Sequence, residues 1–241
     1  KPIAQFWGYK VIGRFDEPTD FYYTDANGAV KEVARPINQG IAQGETWLGD
    51  YIFADINNDG KIDNNDQTFI GNPEPKFTYG IGNTFSWKGF ALNILFQWSY
   101  GNDVLNEFHR DRDAMKYTRN TSRRVLGAWK KEGDVTDVPM VRYSDPMENY
   151  RVSSMWVEDG SYLRLKTVTI GYTFPEKITK KIGMKGLRIA FSGTNLLTFT
   201  NYLGMDPEMS SSVGSSNSKL GIDQSSYPAA RLYTLNVNFK F

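Results

Sequence analysis

From Arg231 to Phe241 the chain alternates without a break. Tyr233, Leu235, Val237, Phe239 and Phe241 are apolar and share one parity, while Thr234, Asn236, Asn238 and Lys240 are polar and share the other. Successive side chains of an extended strand point to opposite faces, so this ribbon has one wholly apolar and one wholly polar face. It stops on an aromatic, a common last residue of barrel strands in bacterial outer membranes. The edge strand of a soluble β-sandwich could alternate in the same way, so the segment alone leaves barrel and sandwich open.

Further segments repeat the pattern. Phe77, Tyr79, Ile81, Phe85 and Trp87 alternate with Thr78, Gly80, Gly82, Thr84 and Ser86. A two-residue turn, Lys88-Gly89, follows. Phe90, Leu92, Ile94, Phe96, Trp98 and Tyr100 then alternate with a smaller, mixed set that includes Asn93, Gln97 and Ser99. Residues 77–100 therefore read as a hairpin of two membrane-length strands, with aromatics near both ends as an interfacial girdle requires. Between Tyr162 and Phe174 the apolar parity switches, from Leu163 and Leu165 to Val168, Ile170 and Tyr172. That switch predicts a bulge, or a strand that projects beyond the bilayer. Leu187, Ile189 and Phe191 open another strand, which runs to about Leu196, so that 161–196 holds two strands and 230–241 a closing one.

Connection lengths test the two readings. Lys88-Gly89 and 175–186 are short links, whereas 101–160 and 197–228 are long. They alternate short, long, short, long, as in a barrel with short periplasmic turns and long external loops. A sandwich has no reason to sort its loops by end, so the barrel is favoured, with the C-terminus on the periplasmic side. Composition agrees. Aromatic residues make up 15% of the chain, yet its mean hydropathy is −0.49, a combination suited to a wall that is apolar outside and polar inside. No run approaches about 18 apolar residues, which excludes a transmembrane helix. The 28 Lys and Arg nearly match the 27 Asp and Glu, so nucleic acid is not an expected partner. With no Cys and one His, disulfides, thiolate nucleophiles and Cys-based zinc sites are excluded. The absence of an initiating Met and of a signal peptide leads one to expect part of something longer.

One motif carries sharp chemistry. Asp55, Asn57, Asp59, Asp63 and Asp66 place side-chain oxygens at positions 1, 3, 5, 9 and 12 of a loop. Gly60 sits at position 6, Lys61 offers its carbonyl at position 7, and Ile62 anchors position 8 on an apolar surface. This is the spacing that wraps oxygens around Ca²⁺. The expectation is a structural ion in loop 55–66, although position 12 is Asp rather than Glu and residues 47–54 read as extended rather than helical. An Asn/Asp-Gly turn that needs no metal is the simpler alternative.

Other features point to function more weakly. Thr121 reads as the N-cap of a helix through Lys131, stopped by Gly133. Arg110, Arg112, Lys116, Arg119, Arg123 and Arg124 form a basic stretch, more simply a solvated face balanced by Glu107, Asp111 and Asp113 than an anion site. Trp156, Tyr150 and Tyr143 suit sugar stacking or ordinary loop packing. Asp145, Glu148, Glu158 and Asp159 form no evident glycosidase pair. His109 stands alone, so His-based triads fail. Residues 210–218 are rich in Ser, Gly and Asn and read as mobile.

The run GDYIFADINNDGKIDNNDQTFIGNPEPKFTYGIGNTFSWKGFALNILFQWSYGNDVLN closely resembles the SusC/RagA family of TonB-dependent outer-membrane transporters. VEDGSYLRLKTVTIGYTFP, SGTNLLTFTNYLGMDPE and YPAARLYTLNVNFKF resemble that family's final strands, in its order and spacing. Residues 1–48 fit less distinctively. The resemblance implies an all-β fold: the C-terminal strands of a plugged, antiparallel transmembrane barrel of about 22 strands, with long extracellular loops. On that template 1–241 is the C-terminal part of one barrel domain, holding the last five strands and the end of an earlier one, and the plug and N-terminal strands lie elsewhere. It further implies energised import of an oligomeric nutrient, usually a glycan and sometimes a peptide. The implied partners are a SusD-like surface lipoprotein, the TonB complex, the rest of the barrel and outer-membrane lipid. No enzymatic role is implied. The competing expectation is a soluble, calcium-stabilised β-sandwich that binds carbohydrate, which requires a closed two-sheet core.

Overall fold

The computed structural model describes residues 5–36, 48–114, 120–142, 145, 148–208, 220–225 and 227–241. Lys116, Arg119, Tyr143 and the stretch 210–218, all singled out above, lie outside the described residues. The chain divides into two compact units, one made of 1–73, 104–158 and 210–225, the other of 74–103, 159–209 and 226–241.

The first unit is built from short strand pairs. β1 (Phe6–Tyr9) pairs with β8 (Gln67–Gly71), β2 (Val11–Arg14) with β6 (Tyr51–Phe53), and β3 (Tyr22–Thr24) with β4 (Val30–Glu32), all antiparallel. β5 (Arg35–Pro36) runs parallel to β7 (Lys61–Ile62), and β11 (Asp103–Asn106) lies between β12 (Val157–Asp159) and a parallel β15 (Ile222–Asp223). Such short pairs lack a periodic apolar face, so burial comes from a few large side chains. Tyr9, Tyr51, Phe53 and Ile62 form one buried cluster, and Phe6, Leu105 and Trp156 another. Gly8 is required where β1 approaches the 152 region, since a Cβ there would lie 2.6 Å from the Val152 carbonyl oxygen.

The second unit is one antiparallel sheet, strand order β16-β14-β13-β10-β9. Its members are β9 (Phe77–Trp87), β10 (Phe90–Tyr100), β13 (Tyr162–Thr173), β14 (Gly186–Thr200) and β16 (Leu232–Lys240). They are 9 to 15 residues long, and a tilted strand needs about 9–11 to cross a bilayer. Lys88 at φ 45° and Gly89 at φ 90° give the hairpin a left-handed turn of the kind that matches strand twist. β14 runs four residues beyond the expected end at Leu196, because its far end pairs with β13 up to Tyr162 opposite Thr200.

Register explains the parity switch. Phe96 pairs with Leu165 and Leu95 with Thr167, so Lys166 is an extra, unpaired residue on β13. β14 answers it, since Leu197 faces Leu165 and Thr194 faces Thr167. The expected bulge is therefore present, and it returns both parities to one face. Across the sheet Ile81, Phe96, Leu165 and Leu197 share a face, as do Phe85, Leu92, Ile170, Phe191 and Leu235. The opposite face carries Thr84, Asn93, Thr169, Ser192 and Thr234, tied by Thr84–Asn93 and Thr169–Ser192 hydrogen bonds of 2.8 Å.

The apolar face is not a core. Trp87 is 67% exposed, Leu235 66% and Phe85 59%, so among the described residues the closed two-sheet core demanded by a soluble sandwich is not formed, against that expectation. Aromatics gather at both ends of the strands. Phe77, Tyr79, Trp98 and Tyr100 cluster with centroids 5.0–6.4 Å apart at one end, and Phe90, Tyr172 and Phe174 at the other. The sheet is a section of a transmembrane barrel wall. Among the described residues no helix is long and apolar enough to cross a membrane.

The expected helix from Thr121 to Lys131 is not formed. A short 3₁₀ turn covers Arg123–Gly127, Ser122 precedes it without a side-chain cap, and Ala128 is already extended. Tertiary contacts override the local signal: Ala128 and Trp129 are buried, and the Trp129 N–H donates to the Val138 carbonyl at 3.1 Å rather than back into a helix. A helix stands instead at Glu107–Asp113, where Asn106 accepts from the His109 N–H. The 101–160 connection is thus not all loop.

Candidate functional site

The polar face of the sheet holds the densest charge cluster of its unit. Arg164 projects from β13 between Leu163 and Leu165, and is only 2% exposed. Its Nε donates to Thr198 Oγ1 at 3.0 Å, its Nη1 to Glu208 and its Nη2 to Asp206. The bulge turns Lys166 to the same side, where its Nζ lies 3.0 Å from Glu208. Asp206 also accepts from the backbone N–H groups of Glu208 and Ala229, at 2.9 and 3.0 Å. Two cations and two carboxylates therefore pin the 202–208 segment and the approach to β16 onto the sheet. Beside them opens a cleft of about 390 Å³ lined by Arg164, Asn195, Thr198, Asp206 and Arg231 among others. Sequence reasoning missed this cluster. The one available signal was the parity switch, which marked the bulge without showing what it presents.

In the first unit, loop 55–66 is held by its own side chains. Asp55 accepts from the N–H groups of Gly60 and Asp59, at 2.8 and 3.2 Å. Asn57 accepts from Asp59 at 3.0 Å, and Asp59 from Lys61 at 3.0 Å. Asp63 accepts from Asn65 at 2.7 Å and caps a 3₁₀ turn at Asn64–Asp66. Fully buried Asp66 joins the two ends of the loop, accepting from Ile56 at 2.9 Å and Asp63 at 2.8 Å. Gly60 sits at φ 84° as position 6 requires, and Ile62 anchors in the Tyr9, Tyr51, Phe53 cluster. The structure thus gathers Asp55, Asn57, Asp59 and Lys61 in one turn ladder, and Asp63 with Asp66 in a second. Among the described residues no three carboxylate or imidazole groups converge on a single point.

A third polar cluster is buried in the same unit. Arg142 donates to both oxygens of Asp50 at 2.6 Å, and Asn149 donates to Asp50 at 2.8 Å and to Asp145 at 3.1 Å. Desolvation outweighs these favourable contacts and pushes the carboxyls of Asp50 and Asp145 up to about 6. His109 is raised by its hydrogen bond to Glu158, 3.2 Å away.

The remaining sequence candidates have structural work. Trp156 is buried, with Nε1 donating to the Arg151 carbonyl, so it packs a loop and offers no face to a sugar. Tyr150 donates its N–H to Asp145. Glu148 pairs with Arg151, Glu158 accepts from Asn106, and Asp159 accepts from the Ser161 N–H, which leaves no acid–base pair. Arg110 lies near Glu107 and Asp111, and Arg124 pairs with Asp113 and Asp137, the balanced surface expected of the basic stretch.

No protein-family model matches the chain. Over 224 residues, 92% of the chain, it is 35% identical to "TonB-dependent receptor P3" of Formosa agariphila. It is 32% identical over 196 residues to "TonB-dependent receptor P26" of the same organism, and 23% over 192 residues to "TonB-dependent receptor SusC" of Bacteroides thetaiotaomicron. It spans 22%, 20% and 17% of these relatives, about a fifth of their length. A solved structure of the RagAB peptide transporter superposes on 98% of the chain with a TM-score of 0.68 at 20% identity, the chain covering 23% of it. The RagAB peptide importer in its open-open state gives 0.66 at 20% identity, with 98% of the chain and 22% of the neighbour covered. By name these are receptors and a transporter, not enzymes.

Proposed function

We infer, from the premise that this chain belongs with the SusC/RagA group of TonB-dependent receptors, that it forms part of an outer-membrane barrel through which an oligomeric nutrient is imported. The observation that carries this reading is the apolar face kept in register across five strands by the Lys166 bulge. Moving one such side chain out of water is worth about 1.5–3 kcal/mol, so a face of this size calls for lipid. β9 and β16 each pair on one side only within the described sheet, and the rest of the barrel is the natural partner of both edges. The polar face then looks into the lumen. The short turns, and with them the C-terminus, lie in the periplasm, and the long connections lie outside, where a SusD-like lipoprotein caps the barrel. TonB energises transport through the plug. The solute is a glycan in our reading; the peptide importer among the structural neighbours makes a peptide the second possibility to test.

Deletion of the gene, with uptake of labelled oligosaccharides and peptides followed in cells with and without functional TonB, tests import. Loss of energised uptake of one class supports the reading and names the class; unchanged uptake of every oligomer sinks it. These 241 residues contain no Cys, so single cysteines at Lys88 and Lys130, in a receptor freed of any cysteine elsewhere, report orientation. An impermeant thiol reagent on intact cells should label the second and spare the first.

We propose in addition that loop 55–66 takes Ca²⁺ as a structural ion and stiffens an external loop near the lipoprotein contact. The support is the donor spacing, the left-handed Gly60 and the anchored Ile62. Asp55, Asn57, Asp59, Asp63 and Asp66 would supply side-chain oxygens and Lys61 its carbonyl, and the hard cation would offset the mutual repulsion of the four carboxylates.

A further inference from the structure

We propose that the cleft beside Arg164 on the polar face is a subsite for a carboxylate of the imported solute. This rests on the import reading and adds the chemistry of one contact. The cleft contains two guanidinium groups in opposite circumstances. Arg164 is buried and answered by Asp206, Glu208 and Thr198. With Lys166 it makes a cluster of two cations and two anions, neutral in itself. Arg231 lines the same cleft and is exposed, and it has no ion pair or hydrogen bond with any described residue. Its charge is permanent, and its forked donors suit a carboxylate better than a point cation would.

A second observation at the same cleft is independent of charge. Asn195, placed opposite the bulge, sits in the left-handed region at φ 54°. Its Nδ2 donates to the Ala230 carbonyl at 3.1 Å, while its Oδ1 is buried with no hydrogen-bond partner. A buried acceptor left unpaired is costly, and bulged or strained backbone recurs where a binding group is being aimed. The cleft therefore lacks an anion for Arg231, and the Asn195 amide, once its shielded Oδ1 turns toward the cleft, lacks an O–H or N–H donor. A carboxylate next to a hydroxyl or amide supplies both, as in a uronic sugar or an acidic peptide residue.

Calorimetry on the purified full-length receptor tests this with four probes: oligogalacturonate, its carboxyl-reduced form, a glutamate-rich peptide, and its glutamine counterpart. One carboxylate probe should bind the wild type, and R231Q should weaken it at least tenfold. R231K, which keeps the charge and loses the fork, should weaken it less than R231Q does, and the neutral counterpart should not distinguish wild type from variant. N195D, which puts a negative charge in the cleft, should weaken the same probe should R231Q fail to fold. Which probe responds separates sugar from peptide. The proposal is overturned by wild-type affinity in both variants, by equal losses for charged and neutral probes, or by no carboxylate probe binding the wild type. A deletion strain that still takes up the bound probe at the normal rate would remove the import reading and leave the subsite standing.

Discussion

Leu165 and Val168 lie on the same face of the sheet although three positions separate them, because Lys166 is bulged out of the ladder between them. In a regular strand they would face opposite ways. Deleting Lys166 should throw either Leu163 and Leu165 or Val168, Ile170 and Tyr172 onto the polar side. The expected result is loss of the heat-modifiable, folded band from the outer membrane. Lys166→Ala, which keeps the residue count and removes only the contact to Glu208, should assemble normally.

Neighbouring residues on β16 should respond oppositely to the same charge. Leu235 belongs to the apolar face and Asn236 to the polar one. Leu235→Arg in the complete barrel should cost about 2–4 kcal/mol at mid-bilayer depth, read by denaturant titration in lipid. Asn236→Arg should cost well under half as much. Equal costs would mean that the apolar face does not meet lipid.

These faces are the part of the molecule legible from sequence, since a period of two survives translation into structure and a bulge leaves a visible change of parity. The first unit was far less legible. Phe6, Phe15, Tyr51, Phe53 and Trp156 are buried without a repeating interval, each placed by a distant partner. Asn106 capping the Glu107–Asp113 helix, with Glu107 in its first turn and Arg110 and Arg112 in its last, carries a local signal as readable as that of Thr121, whose stretch forms only a 3₁₀ turn. Arg164 gave none: nothing local distinguishes an arginine paired with residues more than 40 positions away from one facing solvent.

Breaking that pairing should release the segment it pins. Arg164→Met leaves Asp206 and Glu208 without their guanidinium, and removing one partner of a buried pair costs about 3–5 kcal/mol. Limited proteolysis should then cut near 202–208 in the variant and not in the wild type. The double change with Asp206→Asn should recover part of the loss, as expected where the penalty is an unanswered buried charge.

Asp50 and Asp145 give the first unit a pH dependence of defined sign. Burial raises both from 3.8 to about 6 when folded, so protonation favours the folded state. Their contribution is complete below about pH 4 and is lost as pH rises through 6. The step from 3.8 to about 6 is worth on the order of 3 kcal/mol per group at most. Amide exchange at 48–51 and 148–151, corrected for intrinsic rate, should show stronger protection at pH 5 than at pH 7.5. The reverse order would mean that the Arg142 ion pair dominates.

Loop 55–66 distinguishes a metal site from a self-sufficient turn through Asp63. Asp63 accepts from Asn65 as the cap of the 3₁₀ turn, and Asn caps as well as Asp. Asp63→Asn should therefore leave a metal-free loop intact, whereas a Ca²⁺ site would lose one of its charged ligands. Calcium titration of the full-length receptor, read by sensitised terbium luminescence and its displacement, should show binding that Asp63→Asn weakens roughly tenfold, the equivalent of about 1.4 kcal/mol. Chelation should lower the affinity of the receptor for its lipoprotein partner in the wild type and have little further effect in the variant. Lid affinity that ignores chelator, with no terbium signal, would leave the turn ladder of Asp55, Asn57 and Asp59 as the whole explanation of the motif.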